Sequence, residues 1–236
     1  MIKHKKEFSR RVKTYEQHAI IQKQIAFELT SLIENLKFNT VVDLGAGSGE
    51  IYKHLKTKPS LFIAIDLSEK MCEIHPKEPN IELFNIDFES SELDNILNRQ
   101  KVDLIISSSS LQWCNDLDKF FEKISHSSSV FAFSIFTANT FKTIFSTTNL
   151  EPIIYKKELL IEKLNRYFNV QTLFTKEYKL NFYDKLELFR HIKLTGVSGG
   201  EKRLDFKQTK ELIQNYPLDF LEFEALFCVA TTKNLS

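Results

Sequence analysis

The stretch Val41–Gly49, which reads VVDLGAGSG, most constrains the fold. A short apolar run ends in three glycines at alternate positions, which let a backbone turn tightly and approach a ligand closely. Asp43 is predicted at the carboxyl end of this strand, where open α/β sheets bind their ligands. Glu50 stands where a dinucleotide-binding turn usually has glycine, so the spacing favours an adenosine-bearing cofactor other than NAD. A glycine-rich turn without a ligand is the alternative.

Strands and helices alternate along the chain, which predicts a doubly wound α/β fold with a parallel sheet and right-handed crossovers. The predicted strands are 40–44, 61–65, 81–84, 102–106, 129–136, 170–178 and 220–231. The predicted helices are one or two within 9–36, then 49–57, one that begins after Ser68, 116–124, 155–167, 184–195 and 207–215. We expect a single domain, with N-terminal capping helices in 9–36, a cofactor-binding core at 38–136 and a small lid at 183–218.

Composition excludes several function classes. A chain of 236 residues with net charge +1 fits one domain and shows no bulk charge that would attract nucleic acid or a membrane. The three cysteines are far apart, which favours a reducing compartment and gives no disulfide frame or metal knuckle. Neither a signal peptide nor a run of about 18 apolar residues is visible. We therefore expect a cytoplasmic protein without a metal, and a monomer.

Acidic residues follow the second and third predicted strands. Asp66 comes 17 residues after Gly49, and a carboxylate there can accept both ribose hydroxyls of an adenosine. Asp87 follows the next strand, where it can bond an adenine amino group while Phe88 or Ile86 covers the ring. A solvated loop aspartate is the alternative at both positions.

Small polar residues follow the fourth predicted strand. The segment 107–110 consists of four serines, and Leu111, Gln112 and Trp113 come next. Four consecutive serines are unusual in a core, so this segment predicts a pocket rim with Leu111 and Trp113 in one wall. Trp113 has a core position as its alternative.

Together these residues resemble class I S-adenosylmethionine-dependent methyltransferases. The resemblance covers about residues 38–136 and implies a seven-stranded, mostly parallel sheet with a reversed last hairpin. It also implies S-adenosylmethionine as the cofactor: Asp43 and the glycine turn hold its methionyl part, Asp66 its ribose and Asp87 its adenine. Where the usual motif has Cys and Thr, this chain has Ala46 and Ser48. The cofactor-binding residues expected on this basis are Asp43, Gly45, Ala46, Gly47, Gly49, Asp66, Leu67, Asn85, Asp87, Phe88, Ser107, Leu111 and Trp113.

A narrower resemblance covers nearly the whole chain, about residues 8–231. The segments 8–23, 105–113, 131–134, 188–197 and 218–230 are similar to the malonyl-acyl-carrier-protein O-methyltransferase family of biotin synthesis, whereas 198–216 matches poorly. The resemblance implies methyl transfer to the free carboxylate of malonyl-acyl carrier protein or malonyl-CoA, with S-adenosylhomocysteine released.

That chemistry requires orientation and a cation rather than a base. A malonyl carboxylate is already ionised at neutral pH, so the protein must align it with the methyl group and pair its charge. Arg190, His191 and Lys193 on one predicted helix are candidates, as are Arg10 and Arg11. A solvated face is the alternative for each.

Tyr15 and His18 lie three residues apart in the predicted N-terminal helix, so they share one helical face that could cap the cofactor. His18 has a packing role as its alternative. Lysines and arginines in 3–13 and 185–210 are candidates for receiving an acidic carrier protein.

Other functions remain open from the sequence. The same cofactor could serve another acceptor, such as a small carboxylic acid or a quinone-like ring. The chain could also be a cofactor-binding subunit without turnover of its own. A nicotinamide oxidoreductase is disfavoured by Glu50.

Overall fold

Seven strands form one sheet, and four of them are longer than predicted. The computed structural model describes residues 19–195 and 204–233. The strands are β1 Thr40–Leu44, β2 Leu61–Ile65, β3 Ile81–Phe84, β4 Val102–Ser108, β5 Ser128–Phe136, β6 Phe168–Asn181 and β7 Phe220–Thr232. The sheet order is β3-β2-β1-β4-β5-β7-β6.

Helices connect most of these strands. They are α1 Ile20–Ser31, α2 Glu50–His54, α3 Glu69–Ile74, α4 Ser91–Leu97, α5 Leu117–Ser125, α6 Lys142–Thr148, α7 Lys157–Tyr167, α8 Lys185–Thr195 and α9 Phe206–Asn215, with a short 3-10 helix at Leu111–Trp113. In the described ranges no helix is both long and apolar enough to cross a lipid bilayer.

The strand pairing confirms the predicted doubly wound sheet with a reversed last hairpin. Strands β1 to β5 are parallel, whereas β7 runs antiparallel between β5 and β6. On β1, Asp43 lies opposite Ala64 of β2 and Ile106 of β4. The chain winds from β1 outward in both directions, so the switch point of the sheet falls between β1 and β4. Asp43 therefore lies where such sheets bind ligands.

Apolar side chains cover both faces of the sheet, as expected for strands buried between two helical layers. Along β5, Phe131 and Phe133 pack on one face, with Phe121 and Phe168, while Ala132 faces the other side. The rings of Phe131 and Phe133 are stacked with centroids 4.9 Å apart. The high phenylalanine content is therefore used mainly to build the core.

Three differences from the sequence prediction concern the helices. The helices α4 and α6, of seven residues each, were not predicted. Helix α2 ends at His54 rather than near 57, because Leu55 has an extended ψ of 120° and Lys58 Nζ donates to the Leu55 carbonyl at 3.0 Å. The described part of the N-terminal helix begins at Ile20, and residues 9–18 of the predicted capping helices lie outside the described ranges. Helices α8 and α9 occupy the β6–β7 connection, where we place the lid.

Candidate active site

The glycine turn after β1 is held against the end of β2. Backbone N–H groups of Gly45 and Ala46 both donate to the Ile65 carbonyl, at 2.8 and 2.9 Å. All three glycines have positive φ, of 74°, 54° and 81°, a region that side-chain-bearing residues rarely adopt. The turn therefore requires glycine for its backbone path.

Close packing adds a second requirement at Gly45. A Cβ there would lie 2.5 Å from both Cβ and Oγ of Ser110, whereas a Cβ at Gly47 would meet nothing within 4 Å. The turns after β1 and β4 therefore touch at Gly45, while the backbone at Gly47 borders open space that a ligand can approach.

Asp43 is a fully buried carboxylate, and neither oxygen has a hydrogen-bond partner in the described part of the chain. Burial raises the pKa of Asp43 well above its usual value, and the nearby Asp66 raises it further. Because an ionised carboxylate without a partner is costly to bury, this position favours a cationic or hydrogen-bond-donating ligand.

Asp66 follows β2 and holds the glycine turn from the other side. Its Oδ2 accepts from Gly47 N at 2.9 Å, and its Oδ1 accepts from Ser68 N at 2.8 Å. Burial raises the pKa of Asp66, although both backbone hydrogen bonds lower it. Each oxygen has a second lone pair, so the carboxylate can still accept from a ribose diol.

The loop after β3 lies next to Asp66. Asn85 Nδ2 donates to the Asp66 carbonyl at 3.0 Å, and Asp87 Oδ1 accepts from Glu89 N at 3.0 Å. Leu67 exposes 40% of its surface, so its side chain is available to a ring. Phe88 instead makes an edge contact with Phe120 at 5.5 Å, which directs it towards the core.

The residues after β4 lie mostly in the interior. Ser107 is fully buried, and the hydroxyls of Ser107 and Ser110 each lie 2.8 Å from the Leu44 carbonyl. Leu111 is also buried, while Trp113 is half-buried. Ser107 and Leu111 therefore lie beneath the loops of the site, in the protein interior, whereas Trp113 lies nearer the protein surface.

The predicted substrate cations are not all brought together. On α8, Arg190 is exposed, whereas His191 is buried with its ring edge-on to Phe182 at 5.2 Å. Tyr15, His18, Arg10 and Arg11 lie outside the described ranges, and the Lys193 side chain is not described.

Four polar residues at the carboxyl rim of the sheet were not singled out from the sequence. They are Glu89, Tyr155, Glu222 and Glu224. The two glutamates of β7 interrupt an otherwise apolar run, FLEFEALF, and this was the available signal for buried acids near a site. Glu89 and Tyr155 carry no comparable sequence signal, because their partners are distant in the chain.

The sequence of this chain is similar to those of known methyltransferases. Residues 41–128 match a family model described as a methyltransferase domain. A malonyl-[acyl-carrier protein] O-methyltransferase of Bacteroides thetaiotaomicron is 31% identical over 206 residues, which cover 81% of this chain and 76% of that protein. The chain belongs to the malonyl-[acyl-carrier protein] O-methyltransferase family. A relative of the same name from Chlorobium phaeovibrioides is 28% identical, covering 97% of this chain and 95% of that protein.

The methyltransferase also shares its fold with solved structures. The YcgJ protein of Bacillus subtilis superposes with a TM-score of 0.62 at 12% identity, covering 89% of this chain and 98% of that one. The methyl donor of the enzyme is S-adenosylmethionine. The residues at the rim fit this donor, because Asp43 is a buried carboxylate that a cation would neutralise and Asp66 has free lone pairs for a ribose.

Substituting Gly45 by Ala should damage the site more than substituting Gly47. Both changes impose positive φ on alanine, which costs about 1 to 3 kcal/mol, but only Gly45→Ala also collides with Ser110. We expect Gly45→Ala to unfold at lower urea concentration and to bind S-adenosylmethionine less tightly by calorimetry. Adding Ser110→Gly to Gly45→Ala should recover part of the loss. Equal effects of the two alanine variants would argue against the close approach.

Substituting Asp43 by Asn should stabilise the free methyltransferase near neutral pH and weaken donor binding. A carboxyl with a raised folded pKa contributes most stability below its unfolded value of about 3.9 and loses that contribution as pH rises towards the folded pKa. The amide of the Asp43→Asn variant does not titrate, so its free energy of unfolding should depend less on pH. Loss of a charge-assisted contact should weaken S-adenosylmethionine binding by roughly ten- to hundredfold.

Asp66→Asn is the matched control for that experiment. Its amide would place a donor opposite the N–H of Gly47 or Ser68, so this variant should lose stability instead of gaining it. Wild-type donor affinity in Asp43→Asn would remove Asp43 from the donor site.

Proposed function

We propose that the enzyme transfers the methyl group of S-adenosylmethionine to the free carboxylate of a malonyl group on acyl carrier protein, an early step of biotin synthesis. The products are the malonyl methyl ester and S-adenosylhomocysteine. The match to malonyl-[acyl-carrier protein] O-methyltransferases over nearly the full length of both chains carries this proposal. Malonyl-CoA, which bears the same carboxylate, is the acceptor to compare.

The side chains at the rim suit a transfer that needs no proton movement. When bound, S-adenosylmethionine supplies a methyl group on a positively charged sulfur that leaves as a neutral thioether. A malonyl carboxylate is ionised at neutral pH, so no residue of the chain has to act as a general base. The contribution of the protein is then to fix the distance and angle between the two reactants.

The donor is oriented by carboxylates on neighbouring strands. We assign Asp66 and Asp87 to the adenosine, at the ends of β2 and β3, and Asp43 to the methionyl end, at β1. Adjacent strands lie about 4.8 Å apart, so a donor that extends from β3 past β1 directs its methyl group towards β4 and β5. The acceptor then enters over the end of β5 and from the side of α8.

The acceptor carboxylate needs a cation, for which Arg190 is our assignment. It is exposed on α8, in the connection that lies beside this entrance. A guanidinium can pair with a carboxylate through two parallel hydrogen bonds. His191 is buried beside Phe182, which makes it a support for α8. Basic residues of α8 and α9 are our assignment for the carrier-facing surface.

Methyl transfer from labelled donor tests the proposed function. We expect the label to appear in malonyl-acyl carrier protein but not in acyl carrier protein without the malonyl group. The label should be released by base, because it is a methyl ester. Malonyl-CoA and free malonate run as parallel acceptors. Donor binding without label in any malonyl thioester would contradict the proposal and favour the non-catalytic subunit.

Replacing Arg190 by Ala should raise the KM for the malonyl substrate roughly tenfold or more, because a charge-assisted hydrogen bond to the carboxylate is lost. The KM for S-adenosylmethionine should stay near the wild-type value. Lys101→Ala, an exposed cation directly before β4 at the opposite edge of the sheet, is the control for a general loss of positive charge. If Arg190→Ala and Lys101→Ala change the acceptor KM equally, Arg190 does not bind the carboxylate.

A further inference from the structure

Glu89 connects the loop after β3 with the loop that follows the 3-10 helix. Its Oε1 accepts from Asn115 N at 2.8 Å, and its Oε2 accepts from Asn115 Nδ2 at 2.5 Å. The thiol of Cys114 donates to the same carboxylate at 3.2 Å. A single side chain thus joins the two loops that flank the adenosine end and the Trp113 wall of the site.

Tyr155 continues this connection towards β5. Its hydroxyl donates to the Cys114 carbonyl at 3.2 Å, and its own carbonyl accepts from Ala138 N at 2.9 Å. Burial raises the pKa of Tyr155, and the neighbouring acidic groups add to the effect. The hydroxyl therefore stays protonated and remains a donor across the neutral range.

The segment 137–141 after β5 is in turn fixed to β7. Thr137 N donates to the Glu224 carbonyl at 3.0 Å, and Thr137 Oγ1 donates to the Glu224 carboxylate at 2.5 Å. Asn139 Nδ2 reaches the same carboxylate at 3.0 Å, and Phe141 N donates to the Glu222 carbonyl. The bonds from Glu89 to Glu224 form a continuous chain along the carboxyl rim, which we call the rim belt.

Tyr155 occupies the middle of the rim belt, between the donor side and the acceptor side. Cys114 belongs to the loop after β4 that contains Trp113, whereas Ala138 begins the segment after β5, where the acceptor is expected to enter. Glu89 lies towards β3 and the adenosine end. We therefore expect the Glu89 half of the rim belt to lie beside the donor and the Glu224 half to lie beside the acceptor.

We propose that Tyr155 is a positioning residue that fixes the acceptor-side segment 137–141 relative to the donor-side loop at Cys114. This inference rests on the proposed function, because it takes the donor to reach the loop after β4 and the acceptor to bind over the end of β5. A displaced segment 137–141 would bind the acceptor less well in its aligned position, so a fixed spacing between these loops bears directly on the acceptor KM. A purely structural hydrogen bond would instead lower stability and leave the kinetic constants unchanged.

The test compares Tyr155→Phe with Tyr167→Phe in the full-length enzyme. Each variant removes one hydroxyl from a half-buried tyrosine of the same apolar cluster. Tyr167 lies at the end of α7 and its hydroxyl makes no hydrogen bond within the described part of the chain, so it is the matched control. For Tyr155→Phe we expect the KM for malonyl-acyl carrier protein to rise about fivefold, as for loss of one hydrogen bond. Donor affinity should stay within about twofold of wild type on the same scale.

Glu89→Gln examines the other half of the rim belt. Its amide keeps the size of the side chain but places N–H groups opposite those of Asn115, so the donor-side loops separate. We expect this variant to weaken S-adenosylmethionine binding about fivefold or more, with a smaller change in the acceptor KM. Tyr155→Phe should thus change mainly the acceptor KM, whereas Glu89→Gln should change mainly the affinity for S-adenosylmethionine.

The outcomes separate this inference from the proposed function. Wild-type enzyme that transfers no methyl group to any malonyl thioester contradicts the proposed function. Wild-type turnover together with equal acceptor KM values for Tyr155→Phe and Tyr167→Phe overturns the role of Tyr155. A lower melting temperature of Tyr155→Phe without any kinetic change also overturns it, because that is the result of a structural bond alone.

Discussion

The charge of Asp43 is the constraint on which the rest of the site depends. Its carboxylate is fully buried at the switch point of the sheet, without a hydrogen-bond partner in the described ranges, and the nearby Asp66 disfavours its ionisation further. Folding tolerates this arrangement at a cost, because the group must keep a proton or remain an unpaired ion. On the proposed assignment of Asp43 to the donor, a cationic ligand would remove that cost on binding, so the free energy lost in folding would be recovered as binding affinity.

Contacts of the neighbouring backbone fix the position of the loops around Asp43. Asp66 accepts from Gly47 N and the Ile65 carbonyl accepts from the glycine turn, so the end of β2 sets the path of the turn after β1. Gly45 in turn packs directly on Ser110 beyond β4. The loops at the ends of β1, β2 and β4 are thus joined by direct contacts at this edge of the sheet.

The acceptor side depends on a different set of contacts. The Glu224 carboxylate fixes the segment after β5, and Tyr155 joins that segment to the loop beyond β4. Both glutamates of β7 lie at the amino end of their strand, which antiparallel pairing with β5 brings to the carboxyl rim. Because β7 is reversed, residues from the start of a strand lie at the carboxyl rim. In an all-parallel sheet only the residues at the ends of strands would lie there.

Local sequence determined the sheet and the donor side of the site. Buried strands such as β4 are continuous apolar runs, and Asp43, Gly45 and Asp66 follow directly from strand-turn-helix patterns, since residues at successive strand ends must meet at one edge. Short helices such as α6, in which no residue is buried, leave no apolar periodicity to detect. Only the tertiary structure decided that His191 is buried, that Phe88 turns to the core and that Glu89, Tyr155 and Glu224 form one belt. Their partners lie 26, 41 and 87 residues away along the chain, and side-chain hydrogen bonds over such separations are fixed by packing rather than by any local pattern.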